Sequence, residues 1–385
     1  MKRLVCVGLV WVLLLAAFPL CVTAAEQPQL EVVGKSALLM DIATGTVLYE
    51  KNAHARLAPA SVTKVMTMLL IMEAIDSGKI AMTDTVTTSE AAAAKGGSQI
   101  YLKVGEAMSV FDMLKSIAVS SANDCACAMA EHIAGSEAAF VGLMNQRAKE
   151  LGMNDTNYVN CTGLDDSENA KEHLTSAHDI AIVSRELMAN HPDIQKFTTI
   201  WMDTVRNGEF GLSNTNKLVR FYQGATGLKT GFTSEAGYCL SATAQRDGLG
   251  LIAVVMGCET SQDRFQACKS MLDYGFANFA LVTPQLSGPL HVDVTLGKSP
   301  SVEAKPAEVA PLLIEKAQKG TLSTDIQLEK SVDAPVSTGQ RLGTMTVRSG
   351  QQVLLQVPLI AQETVRRLSY GDIFLQILRK LAMGK

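Results

Sequence analysis

The sequence predicts an α/β (α+β) fold: a sandwich of an antiparallel sheet with helices, then a small all-β domain and a terminal amphipathic helix. Three observations predict it. Strand-like segments lie at both ends of residues 35–256, with helical segments between them. Prolines and short alternating apolar runs become frequent after about residue 282. The last segment, 363–385, places apolar side chains on one helical face and basic side chains around it.

The chain has 385 residues, 47% of them hydrophobic and 19% charged, which suffices for two or three domains with packed cores. This composition excludes intrinsic disorder, collagen-like repeats and a polytopic membrane protein. The formal net charge of −4 gives no overall bias toward nucleic acid, so we expect no nucleic-acid partner.

The first 25 residues have the three regions of a secretory signal peptide. A basic start at Lys2 and Arg3 is followed by the apolar run 4–22, and the small residues 23–25 supply a cleavage site. We therefore predict export, with residues 1–25 outside the mature fold. A retained membrane anchor is the alternative, because the apolar run is long for a signal peptide.

Export places the mature cysteines in a compartment where disulfides can form. They include no Cys-x-x-Cys pair, so neither a zinc ribbon nor a thioredoxin-type site is indicated. Cys125 and Cys127 are two apart in a helical segment and point in different directions, which makes a disulfide between them geometrically poor. We expect most of the six to be small buried hydrophobic residues. They are Cys125, Cys127, Cys161, Cys239, Cys258 and Cys268.

Residues 26–282 form the first predicted domain, and its elements follow from apolar spacing and from glycine punctuation. The predicted helices cover residues 62–76, 123–133, 136–151 and 176–189. The predicted strands are two that surround a glycine-containing turn, at 36–41 and 46–49, and two joined by the hairpin turn 245–248, at 237–244 and 249–256.

Residues 283–362 form the predicted β-rich domain, with alternating runs at 291–296, 342–347 and 353–359. Residues 363–385 form the predicted terminal helix, which is too charged to span a bilayer and well suited to lie on one. We therefore expect peripheral attachment to the outer face of the cell membrane. Packing of this helix on its own domain, or a contact within an oligomer, is the alternative.

Ser61 and Lys64 begin the first predicted helix three residues apart, so both side chains project from one face of its first turn. A serine hydroxyl is a weak nucleophile until a base removes its proton. A lysine can be that base when burial and neighbouring cations lower its pKa. Helix N-terminal amides favour the negative charge that develops nearby. On its own, Ser-x-x-Lys is typical of an ordinary pair on a helix surface.

Ser121 and Asn123 form a second segment, which follows an apolar run and precedes a helix. The hydroxyl of Ser121 can relay a proton between Lys64 and a leaving amine, and the amide of Asn123 can hydrogen-bond a substrate backbone carbonyl. Ordinary N-capping is the structural alternative for either residue.

Lys229, Thr230 and Gly231 form a third segment. The glycine lets backbone approach backbone, as substrate addition at a strand edge requires. The lysine supplies positive charge, and the threonine supplies a hydroxyl for an anionic terminus. A phosphate-binding loop is excluded because Leu228 separates Gly227 from Lys229 and because an exported protein has no supply of ATP.

Together these segments resemble the Ser-x-x-Lys, Ser-Asp-Asn and Lys-Thr-Gly set of penicillin-binding proteins and class A β-lactamases. The chain is similar to the low-molecular-mass D-alanyl-D-alanine carboxypeptidases of serine peptidase family S11, with residues 121–124 reading Ser-Ala-Asn-Asp where the family has Ser-Gly-Asn-Asp. The resemblance covers residues 35–280 strongly and the β-rich tail more weakly. It implies a serine D,D-peptidase/β-lactamase-like sandwich, and residues 214–217 look closest to Gram-positive, sporulation-linked members.

The resemblance implies a catalytic role for three residues. Ser61 would be acylated by the penultimate D-alanine of a peptidoglycan stem peptide ending in D-Ala-D-Ala, and the terminal D-alanine would leave. Lys64 would act as general base and Ser121 as proton relay. The same serine would bind β-lactam antibiotics covalently, and no metal or other cofactor is implied.

The resemblance also implies the substrate-binding residues. Asn123 would hold the substrate amide, while Lys229, Thr230 and Arg264 would lie near the terminal carboxylate. Backbone N–H groups of Ser61 and Phe232 would form the oxyanion hole, beside Gly231. Some family members have histidine at the position of Phe232, so only the backbone role carries over there.

Other functions stay open at this point. A β-lactamase or a D,D-endopeptidase would use the same acylation chemistry, and for the extra glutamate of a class A β-lactamase the chain offers Glu168 and Glu172 but no Glu-x-x-Leu-Asn run. A metal-dependent D,D-peptidase would need ligands such as His173, His178 and Asp179, whose spacing does not place them on one helical face. A catalytically silent wall-binding scaffold is disfavoured because all the proposed catalytic side chains are present.

Overall fold

A five-stranded antiparallel sheet organises the first part of the chain, with strand order β2-β1-β9-β8-β7. This computed structural model describes residues 30–166, 169–286 and 288–382, so the predicted signal peptide lies outside the described residues. The strands up to residue 282 are β1 (Ser36–Asp41), β2 (Val47–Lys51), β3 (Thr85–Thr87), β4 (Ala107–Ser109), β5 (Met202–Val205), β6 (Phe210–Ser213), β7 (Ala225–Thr233), β8 (Gly237–Arg246), β9 (Leu249–Cys258) and β10 (Phe279–Val282).

A tight two-residue turn joins β8 and β9 into a hairpin. Asp247 and Gly248 both have positive φ, of 49° and 82°, as a two-residue hairpin turn requires. The register pairs Arg246 with Leu249 and continues to Tyr238 opposite Cys258. Strand β7 pairs with β8 alone, so the segment that carries Lys229 and Gly231 lies at the edge of the sheet.

Helices flank this sheet, and the first of them is apolar on every side. It is buried continuously from Lys64 to Met72 because it lies between other elements and exposes no face there. The helices up to residue 278 are α1 (Lys64–Asp76), α2 (Glu90–Ala93), α3 (Val110–Ser120), α4 (Asn123–Ala134), α5 (Glu137–Glu150), α6 (Ala177–Asn190), α7 (Gln195–Thr198), α8 (Leu218–Phe221) and α9 (Ser261–Asn278).

The predicted helices and strands of this region are confirmed to within two residues at each end. One boundary matters for the site: the helix predicted to begin at residue 62 begins at Lys64, because a 3-10 turn, Ala60–Thr63, precedes it. Helix α9, which was not predicted, begins with a capping box between Thr260 and Asp263. The other elements without a prediction are α3, the strand β7 that carries Lys229, β10, and the short segments α2, α7, α8 and β3–β6, most of them too short for apolar periodicity to define.

A six-stranded sheet of order β14-β16-β17-β12-β11-β15 dominates the chain after residue 289, as the predicted β-rich domain requires. Its core is a separate cluster that includes Val292, Leu342 and Leu359. Strand β10 also pairs with β13, so the two parts are hydrogen-bonded together, and the domain boundary at residue 283 stays a prediction. The strands are β11 (Leu290–Thr295), β12 (Ser301–Pro306), β13 (Leu312–Glu315), β14 (Leu322–Leu328), β15 (Ser331–Asp333), β16 (Arg341–Ser349) and β17 (Gln352–Ala361).

The terminal helix, α10 (Tyr370–Ala382), begins seven residues later than predicted. Val365 is buried and forms a β-bridge with Val336. The residues predicted to form the first turn of this helix therefore belong to the β-rich part of the chain. Ser369 then caps the helix by accepting a hydrogen bond from the Asp372 amide. Its large exposed apolar side chains are Tyr370, Phe374, Leu375, Ile377, Leu378 and Leu381. Among the described residues we find no helix both long enough and apolar enough to cross a membrane.

The cysteine prediction is confirmed for all six mature residues. Each is buried and none forms a disulfide. Burial raises the pKa of the Cys127 thiol to about 12, and of the Cys239 thiol to about 11, so these groups stay protonated and behave as small apolar residues.

Candidate active site

A short 3-10 turn presents Ser61 at the entry to α1, directly before the buried Lys64. The preceding residue, Ala60, has a φ of +49°, a left-handed conformation that only the surrounding contacts can hold in a residue with a Cβ. Lys64 Nζ lies 2.9 Å from Ser61 Oγ and 2.7 Å from the carbonyl oxygen of Thr162. The turn thus brings a hydroxyl and an amine into hydrogen-bond contact away from bulk water.

Burial changes the protonation of Lys64. Desolvation lowers the pKa of its amine to about 7, against smaller opposing effects from Cys161 and Asp124. Near neutral pH a large fraction of the amine is therefore uncharged and can accept the hydroxyl proton of Ser61. This is the protonation state that a general base requires.

Ser121 and Asn123 lie where α3 ends and α4 begins, and neither acts as an N-cap. Ser121 is the C-cap residue of α3 and has a left-handed conformation, with φ of 63°, and Ala122 occupies the N-cap position of α4. Among the described residues, Ser121 Oγ and Asn123 Oδ1 are buried polar atoms without a hydrogen-bond partner. Buried polar atoms are rarely left unpaired, so both atoms remain free to form a hydrogen bond with a further group.

The segment opposite Asn123 is held in place by side-chain hydrogen bonds. Asn123 Nδ2 donates to the carbonyl of Gly96 at 2.8 Å, and its backbone amide donates to the carbonyl of Ser98 at 2.7 Å. The Asp124 carboxylate accepts from the backbone amides of Ile100 and Leu102. The loop over 96–102 is thereby fixed as one wall of the cleft.

Lys229 is buried on β7 and has no ion-pair partner in the part of the chain that the structure describes. Its Nζ donates to the carbonyl of Thr230 at 3.0 Å. Burial, together with the positive charges of Lys64 and Arg264, lowers the pKa of Lys229 well below its usual range. A bound anion would raise the pKa of Lys229 again, because it would supply the negative charge that no described side chain supplies there.

Thr215 joins two of the motifs, and sequence reasoning gave it no role. Thr230 Oγ1 donates to Thr215 Oγ1 at 2.7 Å, and the Thr215 amide donates to the carbonyl of Val119, two residues before Ser121. Neighbouring Asn216 donates through Nδ2 to the carbonyl of Gly227 on β7. The only sequence signal was that residues 214–217 form part of the family resemblance.

Gly231 is the point at which β7 touches the turn that carries Ser61. A Cβ atom there would lie 2.7 Å from the carbonyl oxygen of Pro59 and 3.1 Å from the backbone nitrogen of Val62. Both neighbours are backbone atoms of the turn, so they cannot move aside as a side chain can. Only glycine lets the strand edge come this close to the turn that carries Ser61.

Phe232 lies near the end of β7, and Arg264 lies in the first turn of α9, beside this strand. The Phe232 side chain is 52% exposed and stacks on Tyr238, with ring centroids 4.2 Å apart. Arg264 is buried: it donates to the carbonyl of Gly231 at 2.9 Å and to Ser261 Oγ at 3.3 Å, while its Nε has no partner among the described residues. Arg264 therefore braces the strand that carries Gly231, and its role toward a carboxylate stays a prediction.

The residues of the metal alternative are not brought together. His173 contacts Thr63 behind the nucleophile turn, whereas the ring of His178 lies 4.4 Å from that of His54. A different group, formed by Glu73, Glu186 and His191, has metal-like spacing. There the Arg147 guanidinium binds both carboxylates at 2.7 Å, which accounts for their closeness.

Comparison with known proteins identifies the family. The family model of peptidase S11, D-alanyl-D-alanine carboxypeptidase, matches residues 21–260, and that of the penicillin-binding protein 5 C-terminal domain matches residues 288–367. The chain belongs to peptidase family S11. It is 41% identical to the D-alanyl-D-alanine carboxypeptidase DacF of Bacillus subtilis over 96% of each chain, and 34% identical to DacC of Escherichia coli over 88% of this chain and 86% of DacC.

Solved structures of relatives share the fold. Penicillin-binding protein 5 from Haemophilus influenzae is 30% identical, with a TM-score of 0.73 over 88% of this chain and 98% of that chain. Penicillin-binding protein D2 from Listeria monocytogenes, in its ampicillin-bound form, is 32% identical, with a TM-score of 0.59 over 65% of this chain and all of its own length. The fold predicted from the sequence is confirmed. As a member of family S11, the chain is a serine-type D-alanyl-D-alanine carboxypeptidase. Its similarity to DacF fits the predicted resemblance to Gram-positive, sporulation-linked members.

We expect the rate of covalent reaction with a penicillin to rise with pH and to level off above an inflection near 7. The pKa of Lys64 is lowered to about 7, so the amine loses its proton as the pH rises through that value and only then accepts the serine proton. The measurement is the second-order acylation rate with a fluorescent penicillin between about pH 5 and pH 9. A rate that still rises at about pH 9 without levelling off, as an amine with the ordinary lysine pKa would give, would contradict the prediction.

We expect Gly231→Ala to slow acylation by at least about tenfold, because the new methyl group would push β7 away from the nucleophile turn. Gly211→Ala is the matched control: Gly211 also lies in a strand, and a Cβ there meets no atom within 4 Å. Acylation rates and melting temperatures of both variants check the prediction. Equal rates for the two would show that the close approach at Gly231 has no catalytic consequence.

Proposed function

We propose that Ser61 is the nucleophile of the carboxypeptidase and Lys64 its general base. The observation that carries this proposal is the 2.9 Å contact between Ser61 Oγ and a buried amine whose pKa is lowered to about 7. The hydroxyl proton passes to Lys64 Nζ as Oγ attacks the carbonyl carbon of the penultimate D-alanine. The C–N bond to the terminal D-alanine then breaks, and an ester on Ser61 remains.

The leaving amine needs a proton, and the proposal assigns its delivery to Ser121. Support comes from the buried, unpartnered Oγ of this residue, which can accept a proton from Lys64 and pass its own to the amine. Water then hydrolyses the ester, with Lys64 again as base, and the free serine is restored. The cycle consumes one water and releases one D-alanine.

Substrate recognition is proposed to rest on charge and on the strand edge. Lys229, buried without a counter-ion, is the group best placed to bind the terminal carboxylate, with Thr230 as a hydrogen-bonding neighbour. Arg264 donates to the carbonyl of Gly231 and so positions this strand edge. Its other N–H groups can also donate to the terminal carboxylate. The unpartnered Oδ1 of Asn123 can accept an N–H of the substrate peptide.

The oxyanion hole is proposed to consist of the backbone N–H groups of Ser61 and Phe232. The closeness of β7 to the nucleophile turn at Gly231 supports this assignment, because it places the two backbones side by side. The exposed Phe232 side chain is not required for this function.

A β-lactamase would require rapid hydrolysis of the penicilloyl ester. Of the two glutamates considered for that step, Glu172 is exposed at the surface, and Glu168 lies outside the described residues. The site thus offers no buried glutamate base of this kind in its described part, which favours slow release of bound β-lactam. A D,D-endopeptidase would share every group named above and differ only in the leaving amine.

The enzyme is proposed to act outside the cytoplasm, attached peripherally to the outer face of the membrane. The signal-like sequence of residues 1–25 supports export. Helix α10 supports attachment, because it exposes Phe374, Leu378 and Leu381 on one side while basic residues flank them.

We expect Ser61→Ala to keep its fold and to lose release of D-alanine from a D-Ala-D-Ala peptide by at least about a thousandfold, since no other group can form the ester. Ser77→Ala, at the other end of α1, is the matched control. After brief exposure to penicillin, mass spectrometry should locate one adduct on the peptide that contains Ser61. An adduct elsewhere would refute the nucleophile assignment, and sustained penicillin turnover would favour the β-lactamase alternative.

We expect truncation after Ser369 to release the protein from anionic lipid vesicles while hydrolysis of a soluble peptide continues. The cut spares Val365, which belongs to the β-rich core. In the full chain, Phe374→Asp should weaken vesicle binding by at least about tenfold, because it places a charge on the apolar face. Gln376→Asp, which adds the same charge at an exposed polar position, should weaken it less. Sedimentation of the truncated form with vesicles would contradict the proposal.

A further inference from the structure

His173 is a buried titratable residue that the proposed mechanism does not use. It contacts the 3-10 turn Ala60–Thr63, which carries Ser61, and is only 4% exposed. Both of its ring nitrogens have partners: Nε2 lies 2.8 Å from Thr63 Oγ1, and Nδ1 lies 3.0 Å from the backbone nitrogen of Val159. The ring therefore connects the segment after α5 with the turn that carries Ser61.

The direction of each hydrogen bond in this connection is fixed. The Val159 N–H can only donate, so Nδ1 of His173 is the acceptor and carries no proton. Thr63 uses its own hydroxyl proton on the carbonyl of Ala60, at 2.8 Å. Thr63 Oγ1 must therefore accept from the Nε2–H of His173. The result is one continuous chain of donors from Val159 through His173 and Thr63 to Ala60.

This chain of hydrogen bonds can exist only while the His173 ring is neutral, because a protonated imidazole cannot accept a hydrogen bond from the Val159 N–H. Burial and the nearby Lys64 lower the pKa of His173 to about 4, which keeps the ring neutral over the working range. The ring consequently adds no positive charge beside the amine of Lys64.

The chain of hydrogen bonds ends at Ala60, the strained residue directly before Ser61. Ala60 has the left-handed φ of +49° noted above, and its carbonyl accepts the last hydrogen bond. Gly163 closes over the same carbonyl so tightly that a Cβ would lie 1.8 Å from the oxygen. The Ala60 carbonyl is thus fixed by Thr63 and Gly163 together, and its peptide unit leads directly into Ser61.

We propose that His173 is a positioning residue: through Thr63 it holds the peptide between Ala60 and Ser61 in the orientation from which the Ser61 hydroxyl attacks. This inference rests on the proposed role of Ser61. It assigns to His173 no contact with substrate and no proton transfer. A residue that merely fills space would not need both ring nitrogens paired in one direction, although the edge-on packing on Tyr158 at 5.7 Å does contribute to the core.

Two replacements of His173 separate positioning from simple packing. A glutamine amide reaches the place of Nε2 and can still donate to Thr63, but it leaves Val159 unpaired. An asparagine amide reaches only the place of Nδ1, so it can still accept from Val159 but cannot reach Thr63. His173→Asn should therefore slow penicillin acylation by about tenfold to a hundredfold, whereas His173→Gln should retain at least about a third of the wild-type rate.

Thr63 gives an independent pair of variants. Thr63→Val removes the hydroxyl and should slow acylation as His173→Asn does, while the conservative Thr63→Ser should restore most of the rate. The double variant His173→Asn/Thr63→Val should be no slower than the slower single variant, because both break the same chain. His132→Asn, at an exposed position of α4, is the matched control for histidine replacement.

The experiment measures the second-order rate of labelling by a fluorescent penicillin, the labelled fraction at saturation and the melting temperature for each full-length variant. The inference is supported if the variants that lose the Thr63 contact react slowly and the variants that keep it react fast. The melting temperature should then fall in the variants that lose the Val159 contact. It is overturned if His173→Asn reacts as fast as wild type, or if rate and melting temperature fall together in every variant. If wild-type protein is not labelled at Ser61, the proposed function fails as well, so the two failures are distinguishable.

Discussion

The site depends on keeping an amine out of water next to a hydroxyl. Lys64 Nζ lies 2.9 Å from Ser61 Oγ, and the desolvation of its amine outweighs the stabilisation that the Asp124 carboxylate gives to its charge. A surface lysine at the same sequence spacing would stay protonated and could not take a proton from serine. The burial of α1 on all sides is therefore what makes the Ser-x-x-Lys spacing reactive, and the rest of the fold serves to maintain that burial.

Close backbone contacts hold the reactive pair in place. Gly231 brings the edge strand against the turn of Ser61 from one side, and Gly163 covers the Ala60 carbonyl from the other. Ala60 and Ser121 both adopt left-handed conformations at the points where two motifs enter the cleft. Such strained residues persist only where neighbouring contacts over-determine them, as they do here through Thr63 and the α3–α4 junction.

The cleft has an excess of positive charge. Lys64 and Arg264 lie close enough to Lys229 to lower its pKa further than burial alone would. No described carboxylate pairs with Lys229, so an anionic ligand gains more there than at a surface lysine. Burial by itself lowers the pKa of Lys64, whereas burial and the neighbouring positive charges act together on Lys229.

The sequence by itself determined the fold class, the three motifs and the family, and it determined four helices and four strands of residues 26–282 to within two residues, because apolar periodicity and short motif spacing are local properties. It did not reveal the long helix α9 or the strand β7 of the site. It did not determine the 3-10 turn before α1, the start of α10 at Tyr370, or the parts played by Thr162, Thr215 and His173. The parts played by Thr162 and His173 depend on contacts between segments about 100 residues apart, with Lys64 and with Thr63. The start of α10 depends on a nearer contact, the bridge between Val336 and Val365. Only the tertiary structure decides such contacts, since backbone carbonyls and buried partners leave no periodic signal in the chain.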